Sequence, residues 1–336
     1  MNLVALDVGG ANLKWADGLG RAVSVPFPLW KNPQGLPNAL AEMLAGVTAP
    51  HWAVTMTGEL ADCYRTKREG VNHILDAVEH AAAGRTVSVY LTDGRLVEPS
   101  LARQNPLLAA ASNWHALAAW AGRFAASGQA LLIDMGSTTT DIIPLKQGQV
   151  AASGRTDPER MLHRELIYTG VFRSPVCAVC RELPWRSAMV GVAQELFATT
   201  GDVYLMLGDL PSEEECSLTA DGRPFTKEFA TDRLSRMICA DSELFSEQDA
   251  LQAARSIADE QLQQVWRGVQ EVVKRCGEPE IVLTSGQGEF LIRRVCDRLG
   301  YAGRLYSLAE HLGPEVSACA PAHALAVLAH ERWNEA

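Results

Sequence analysis

Apolar residues in this chain come as short unbroken runs ending in Asp and Gly, alternating with longer stretches at helical spacing. Leu3–Asp7 reads as a buried strand entering a tight Gly-Gly turn, with Arg21–Phe27 returning beside it as its hairpin partner. Leu36–Leu44 and Gly70–Ala83 have helical spacing, Trp52–Met56 and Val87–Leu91 are strand-like, and Leu107–Ala126 reads as one long, mostly buried helix. Ala130–Asp134 is a second apolar strand running into Asp-x-Gly. Thr140–Leu145 follows as a strand, and Gly, Arg and Pro punctuate Ser153–Pro184. Helices are predicted at Met189–Thr199, Thr226–Cys239 and Glu247–Arg275. Ile281–Thr284 is a third strand entering a glycine-rich turn, before a helix at Glu289–Leu299, a strand within Tyr301–Tyr306 and a closing helix at Pro321–Trp333. This alternation makes the class α/β. The strand-to-Asp-x-Gly turn occurs twice, at Leu3–Gly9 and Leu131–Gly136, which points to two similar lobes facing each other. A length of 336 residues, more than one core normally serves, agrees.

Composition narrows the partners. A net charge of -10 argues against nucleic acid, whose phosphate backbone needs a basic face. It leaves room for one small polyanion held by backbone amides and a metal. No apolar stretch is long enough to span a membrane, and the first residues leave no room for a secretory apolar region, so a cytoplasmic protein is expected. Of the eight cysteines only Cys177 and Cys180 form a C-x-x-C, with no second pair at zinc-site distance; free thiols are expected. His115 and the tryptophans Trp114 and Trp120 read as packing, and Glu213–Glu215 as a solvated loop.

Three turns carry candidate chemistry. In Val4–Lys14, Asp7 ends a strand and is a candidate metal ligand, while Gly9 and Gly10 let backbone N–H groups approach an anion and Lys14 adds a charge. A plain hairpin turn is the simpler reading of that segment. Leu131–Asp141 packs a carboxylate (Asp134), a flexible turn (Gly136) and the hydroxyls of Ser137, Thr138 and Thr139 into six positions; Asp141 is a supporting carboxylate or a turn residue. Ile281–Phe290 supplies Ser285, Gly286 and Gly288 at another strand-to-helix turn.

In this order the three turns resemble the two phosphate loops and the nucleotide-side loop of the sugar kinase/Hsp70/actin group. The resemblance implies a two-lobed fold with ribonuclease H-like lobes and a central cleft: residues 1–128 with a returning helix at 316–336, and residues 129–315. One departure is Ala11, where the kinases often carry Thr or Ser; it argues against ordinary ATP phosphoryl transfer and leaves nucleotide binding open.

The segments Thr55–Val71, Ala111–Ala118, Gly154–Arg160, Tyr168–Val176, Asp202–Leu210 and Thr219–Pro224 carry a narrower likeness. They resemble the hydantoinase/oxoprolinase-related proteins of tetrahydromethanopterin-linked one-carbon metabolism, a family similar to the archaeal synthase of the methanofuran furan–tyramine ether. That resemblance implies condensation of an aminomethyl-furan-methanol diphosphate with the phenol of a glutamyl-tyramine or tyrosine-like compound, releasing diphosphate. On it, Asp7 and Asp134 would anchor Mg²⁺, and Gly9, Gly10, Gly136, Ser137 and Thr138 would cradle phosphate, with Lys14 assisting. Glu59 is the candidate general base, with helix capping as its plainer reading. Lys67 and Arg68 would hold diphosphate or a glutamyl carboxylate, unless they form a solvated helix face. Arg155, Asp157, Arg173, Arg223 and Lys227 are weaker cleft candidates. Two other classes stay open, an ATP-dependent kinase or ring-opening enzyme and a non-catalytic nucleotide switch, as does a homo-oligomer.

Overall fold

Strand β1 (Leu3–Val8) is buried along its whole length, because its only polar side chain is Asp7. It pairs antiparallel with β2 (Asn12–Ala16). Strand β3 (Ala22–Pro26) pairs antiparallel with β2, and β4 (His51–Met56) lies parallel to β1 on its other side. With β5 (Thr86–Tyr90) and β6 (Leu96–Val97) the order is β3-β2-β1-β4-β5-β6. A central strand buried on both faces needs cover on both. Val4, Leu6 and Val8 face Leu36, Leu40, Val71, Ile74 and Val78 of the helices Leu36–Met43 and Lys67–Ala82. The alternate residues Leu3 and Ala5 face Leu325, Ala326 and Ala329 of the last helix, Ala320–Glu335. The computed structural model describes residues 2–216 and 218–335.

The second sheet repeats the plan. It starts with β7 (Gln129–Met135) and antiparallel β8 (Thr140–Lys146), with β9 (Gln149–Val150) and β10 (Leu166–Ile167) both pairing β8. After a separate hairpin of β11 (Glu182–Trp185) and β12 (Ala188–Gly191), β13 (Ile281–Ser285) joins β7 in parallel and β14 (Arg304–Ser307) joins β13. The order β10-β8-β7-β13-β14 matches β3-β2-β1-β4-β5 strand for strand in direction. The 30-residue helix Glu247–Cys276 covers one face through Ile257, Val265, Val269 and Val272. The other face packs on Trp114, Leu117 and Trp120 of the helix Asn113–Ala121, and on Ala320 and Ala324 of the last helix. Those two helices also touch the first sheet, through Ala116 and Ala326, and so form a layer between the lobes. Two sheets of matching strand order make the two similar lobes that the repeated strand-to-turn pattern predicts. Among the described residues no helix is long and apolar enough to cross a membrane.

Three predicted elements differ. The hairpin partner of β1 is β2, so Lys14 lies in a strand directly opposite Asp7, and Arg21–Phe27 supplies the next strand out. The helix expected over Leu107–Ala126 is broken into Pro106–Ala109 and Asn113–Ala121, with Ala111 at φ 47, followed by a 3₁₀ turn at Gly122–Ala125. The break is fixed by tertiary contact, the Ser112 hydroxyl bonding Thr55 Oγ1 at 2.7 Å. Met189 lies in a hairpin strand, not a helix. Arg186 and Ser187 both have positive φ and form its two-residue turn, without the Asn-Gly signature that would announce one; the helix begins only at Thr200.

The segment Thr169–Arg173 buttresses the second turn. Val171 N donates to Gly136 O, and Phe172 N and Arg173 N donate to Ser137 O at 3.1 and 2.8 Å. Behind it, buried Gln261 donates to Thr169 Oγ1 and Gly170 O and accepts from Tyr204 OH. A Cβ on Gly170 would lie 2.4 Å from Thr138 N. Gly170→Ala is therefore expected to cost about 1–3 kcal/mol of stability by overpacking. A urea unfolding midpoint equal to that of the parent would contradict this packing.

Candidate active site

The two lobes place equivalent residues at equivalent points. Asp7 lies opposite Lys14 on β2 and Thr55 on β4; Asp134 lies opposite Asp141 on β8 and Ser285 on β13. Gly9 N donates to Asn12 O at 3.0 Å, and Gly136 N to Thr139 O at 2.9 Å, so each turn closes on its own first amide. The following amides, Gly10 in one turn and Ser137 and Thr138 in the other, donate to no backbone carbonyl among the described residues. Three residues beyond the Thr55 and Ser285 positions come Gly58, donating to Val8 O, and Gly288, donating to Met135 O. A glutamate follows each: Glu59 and Glu289.

Lys14 links the lobes electrically. Burial raises Asp7 to about 6, and the Lys14 ammonium pulls the other way. Burial raises Asp134 to about 7, reinforced by the Asp141 charge and opposed by the Ser285 hydroxyl and by Lys14. One ammonium therefore acts on both carboxylates. Asp7 is 5% exposed, and its Oδ1 has no hydrogen-bond partner. Behind Asp134, Arg160 donates to Asp141 Oδ1 at 2.6 Å and stacks 4.0 Å above the Trp114 ring, so a buried cation joins the lobes beneath the site.

A second cluster lies beside the first turn. A Cβ on Gly58 would come 3.1 Å from the Gly9 carbonyl, so Glu59 follows a residue packed directly on that turn. Glu59 is 1% exposed; burial raises its proton affinity against Lys67 and the Ala111 amide, and its Oε2 is unpartnered. Lys67 Nζ lies 3.5 Å from Glu59 Oε1 and 2.6 Å from Asp157 Oδ2 of the other lobe. Burial works against the Lys67 charge, but the two carboxylates outweigh it and raise its proton affinity. Among the described residues no three His, Cys, Asp or Glu side chains group as a metal site. Mg²⁺ takes one or two protein carboxylates and completes its shell with water and phosphate, a requirement that Asp7 and Asp134 would meet by donor type. The unpartnered Asp7 oxygen supports that fit.

The hydantoinase/oxoprolinase family model matches residues 51–332. This chain belongs to that family. It is 33% identical over 336 residues, 99% of each chain, to the (4-{4-[2-(gamma-L-glutamylamino)ethyl]phenoxymethyl}furan-2-yl)methanamine synthase of Methanocaldococcus jannaschii. It is 31% identical over 206 residues to the protein of the same name from Methanococcus vannielii, covering 61% of this chain and 92% of that one. A chain of the solved PilM-PilN type IV pilus biogenesis complex matches at TM-score 0.51 and 13% identity, over 97% of this chain and 98% of that one. That last likeness is one of fold alone.

Within this hydantoinase/oxoprolinase chain, several expected site residues take other places. Arg68 is exposed and donates to Arg103 O at 3.4 Å, because neighbouring positions on a helix point about 100° apart and only Lys67 turns inward. The Gly288 amide is spent on Met135 O, and the Ser285 hydroxyl on Asp134, so neither is free for a ligand. Gly286, at φ 87, remains open; a Cβ there would lie 2.3 Å from Met135 O. Glu59 caps no helix: Thr66 caps Lys67–Ala82. Arg223 is engaged by Asp221 and Asp232, and Arg155 and Lys227 are exposed. His115, bonded to Tyr90 OH and lowered by burial to about 4, is a neutral packing residue. The Arg160–Trp114 contact and the Glu59/Glu289 equivalence went unread in sequence; the one available signal was a Gly-Glu pair after each turn strand.

The raised carboxylates set a stability trend. A group lifted from 3.8 to about 7 on folding binds its proton more tightly in the folded state, so its contribution declines as pH rises between those values. Asp134→Asn removes that decline. The ligand-free variant is expected to melt higher than the parent at pH 8, with a smaller gain at pH 5. An equal gain at both pH values would contradict the assigned burial.

Proposed function

We propose that this chain joins the furfuryl carbon of an aminomethyl-furan-methanol diphosphate to the phenol oxygen of a glutamyl-tyramine-like acceptor, releasing diphosphate. The observation carrying this reading is the pair of amide-bearing turns, with buried Asp7 and half-buried Asp134 both under the influence of Lys14, in a chain matching one named synthase over 99% of its length. The free amides of Gly10, Ser137 and Thr138 take phosphate oxygens, and Lys14 lies where negative charge grows as the carbon–oxygen bond breaks. Gly9 and Gly136 shape the turns without donating outward, and Gly286 keeps the third turn close. Asp7 and Asp134 would hold Mg²⁺, which when bound neutralises charge on the leaving diphosphate. Ala11 offers no hydroxyl to a phosphate, which argues against ordinary ATP phosphoryl transfer.

The furan ring supports positive charge at the departing carbon, so departure can run ahead of attack. The acceptor phenol, with an ordinary pKa near ~10, must lose its proton as the ether bond forms. Glu59 receives it on the unpartnered Oε2, and its raised proton affinity makes it a stronger base than an exposed carboxylate. Lys67, held between Glu59 and Asp157, opposes the burial that favours the neutral form of Glu59 and ties the lobes together on either side of the acceptor.

Incubation with both substrates should give the ether by mass, with one diphosphate per ether. Glu59→Gln is expected to lower kcat by roughly 10²–10⁴-fold and to remove the acidic limb of the pH–rate profile, leaving diphosphate affinity unchanged. An unaltered rate would remove Glu59 from this role. Asp134→Ala is expected to abolish diphosphate binding while the far-ultraviolet circular dichroism is retained; parental affinity in that variant would defeat the shared-site reading.

A further inference from the structure

We propose that Arg173 binds the outer phosphate of a bound diphosphate, and that Trp30 holds its guanidinium in place for that contact. This rests on the diphosphate reading above and adds to it a rim that distinguishes diphosphate from a single phosphate.

The two residues come from opposite lobes, and each is tied to one of the two turns. Leu29 N donates to Gly10 O and Phe27 N to Ala11 O, both at 2.9 Å, so Trp30 is the next residue beyond a segment seated on the first turn. That segment is pinned at its far end, where His73 Nε2 donates to Pro33 O at 2.9 Å. Arg173 N donates to Ser137 O at 2.8 Å, so its side chain starts from the second turn. Across the gap the Arg173 guanidinium carbon lies 5.3 Å from the centroid of the Trp30 ring. That is within cation–π range.

The chemistry of this pairing is specific. An arginine stacked on an aromatic face has one flat side covered, while its N–H groups radiate in the guanidinium plane and stay free for two parallel bonds to phosphate oxygens. Arg173 is exposed, and among the described residues no carboxylate pairs with it, whereas Arg160 and Arg233 are engaged by Asp141 and Asp202. The cation therefore stands uncommitted at the rim of a cradle lined by free amides. The amides of the turns cover one phosphate group; a second phosphate projects towards the rim. Trp30 is a positioning residue here, and Arg173 the residue that touches ligand.

The test is calorimetric titration of the full chain, in Mg²⁺, with inorganic diphosphate and separately with orthophosphate. Arg173→Ala is expected to weaken diphosphate by about 10- to 100-fold, the worth of a charged hydrogen-bond pair, and to leave orthophosphate nearly unchanged. Arg173→Lys should fall between, since an ammonium keeps the charge without the fork. Trp30→Ala should weaken diphosphate selectively, and Trp30→Phe should restore most of the loss. Unchanged diphosphate affinity in Arg173→Ala would overturn the proposal. So would equal loss of both anions with a lower melting temperature, which would make the pair a clasp between lobes. If the parent chain bound neither anion, the diphosphate reading itself would fall; if the parent bound diphosphate and only the variants behaved otherwise, this inference alone would.

Discussion

One buried and one half-buried carboxylate at equivalent strand ends, with one lysine acting on both, set the terms for the rest of this molecule. Asp7 and Asp134 each sit where a central strand meets a glycine turn, and burial alone would drive both to the neutral form. Lys14, opposite Asp7 on the neighbouring strand, relieves part of that cost in both lobes at once. On the proposed function, a ligand carrying phosphate and a divalent cation would complete the balance. The unpartnered oxygens of Asp7 and Glu59 are what such a balance leaves open when the site stands alone.

Holding those charges in register requires rigid support, and the fold provides it by close backbone approach. Gly70 lets the helix Lys67–Ala82 press on the Glu59 carbonyl, where a Cβ would come within 2.0 Å, and this fixes Lys67 beside Glu59. Gly170 does the same for the second turn, with the buried Tyr204–Gln261–Thr169 hydrogen bonds behind it. Between the lobes run two contacts, Arg160 on Trp114 and Lys67 on Asp157. The two contacts between the lobes join residues far apart in sequence, so the cleft depends on the whole fold.

How much of this was legible in the chain depends on range. The turns after β1 and β7 announce themselves because an apolar run ending in Asp-x-Gly is a local signal, and their recurrence disclosed the two lobes. The distinctive segments around Thr55–Val71 and Tyr168–Val176 pointed to the right family. What escaped was set by distant partners. The break at Ala111 is invisible in an apolar helical pattern and is fixed by Ser112 bonding Thr55. The hairpin at Arg186–Ser187 lacks glycine. Lys67 and Arg68 look alike in sequence, and only the helix phase separates the cation facing Glu59 from the one on the surface. The pairing of Glu59 with Glu289 needs strand registers, which no single segment encodes.

Amide hydrogen exchange across the two turns tests the shared hollow most directly. With Mg²⁺ and diphosphate added in increasing amounts, residues 9–11 and 136–139 should gain protection together, with one common midpoint. Protection confined to a single turn, or two separate midpoints, would contradict a single anion held between the lobes.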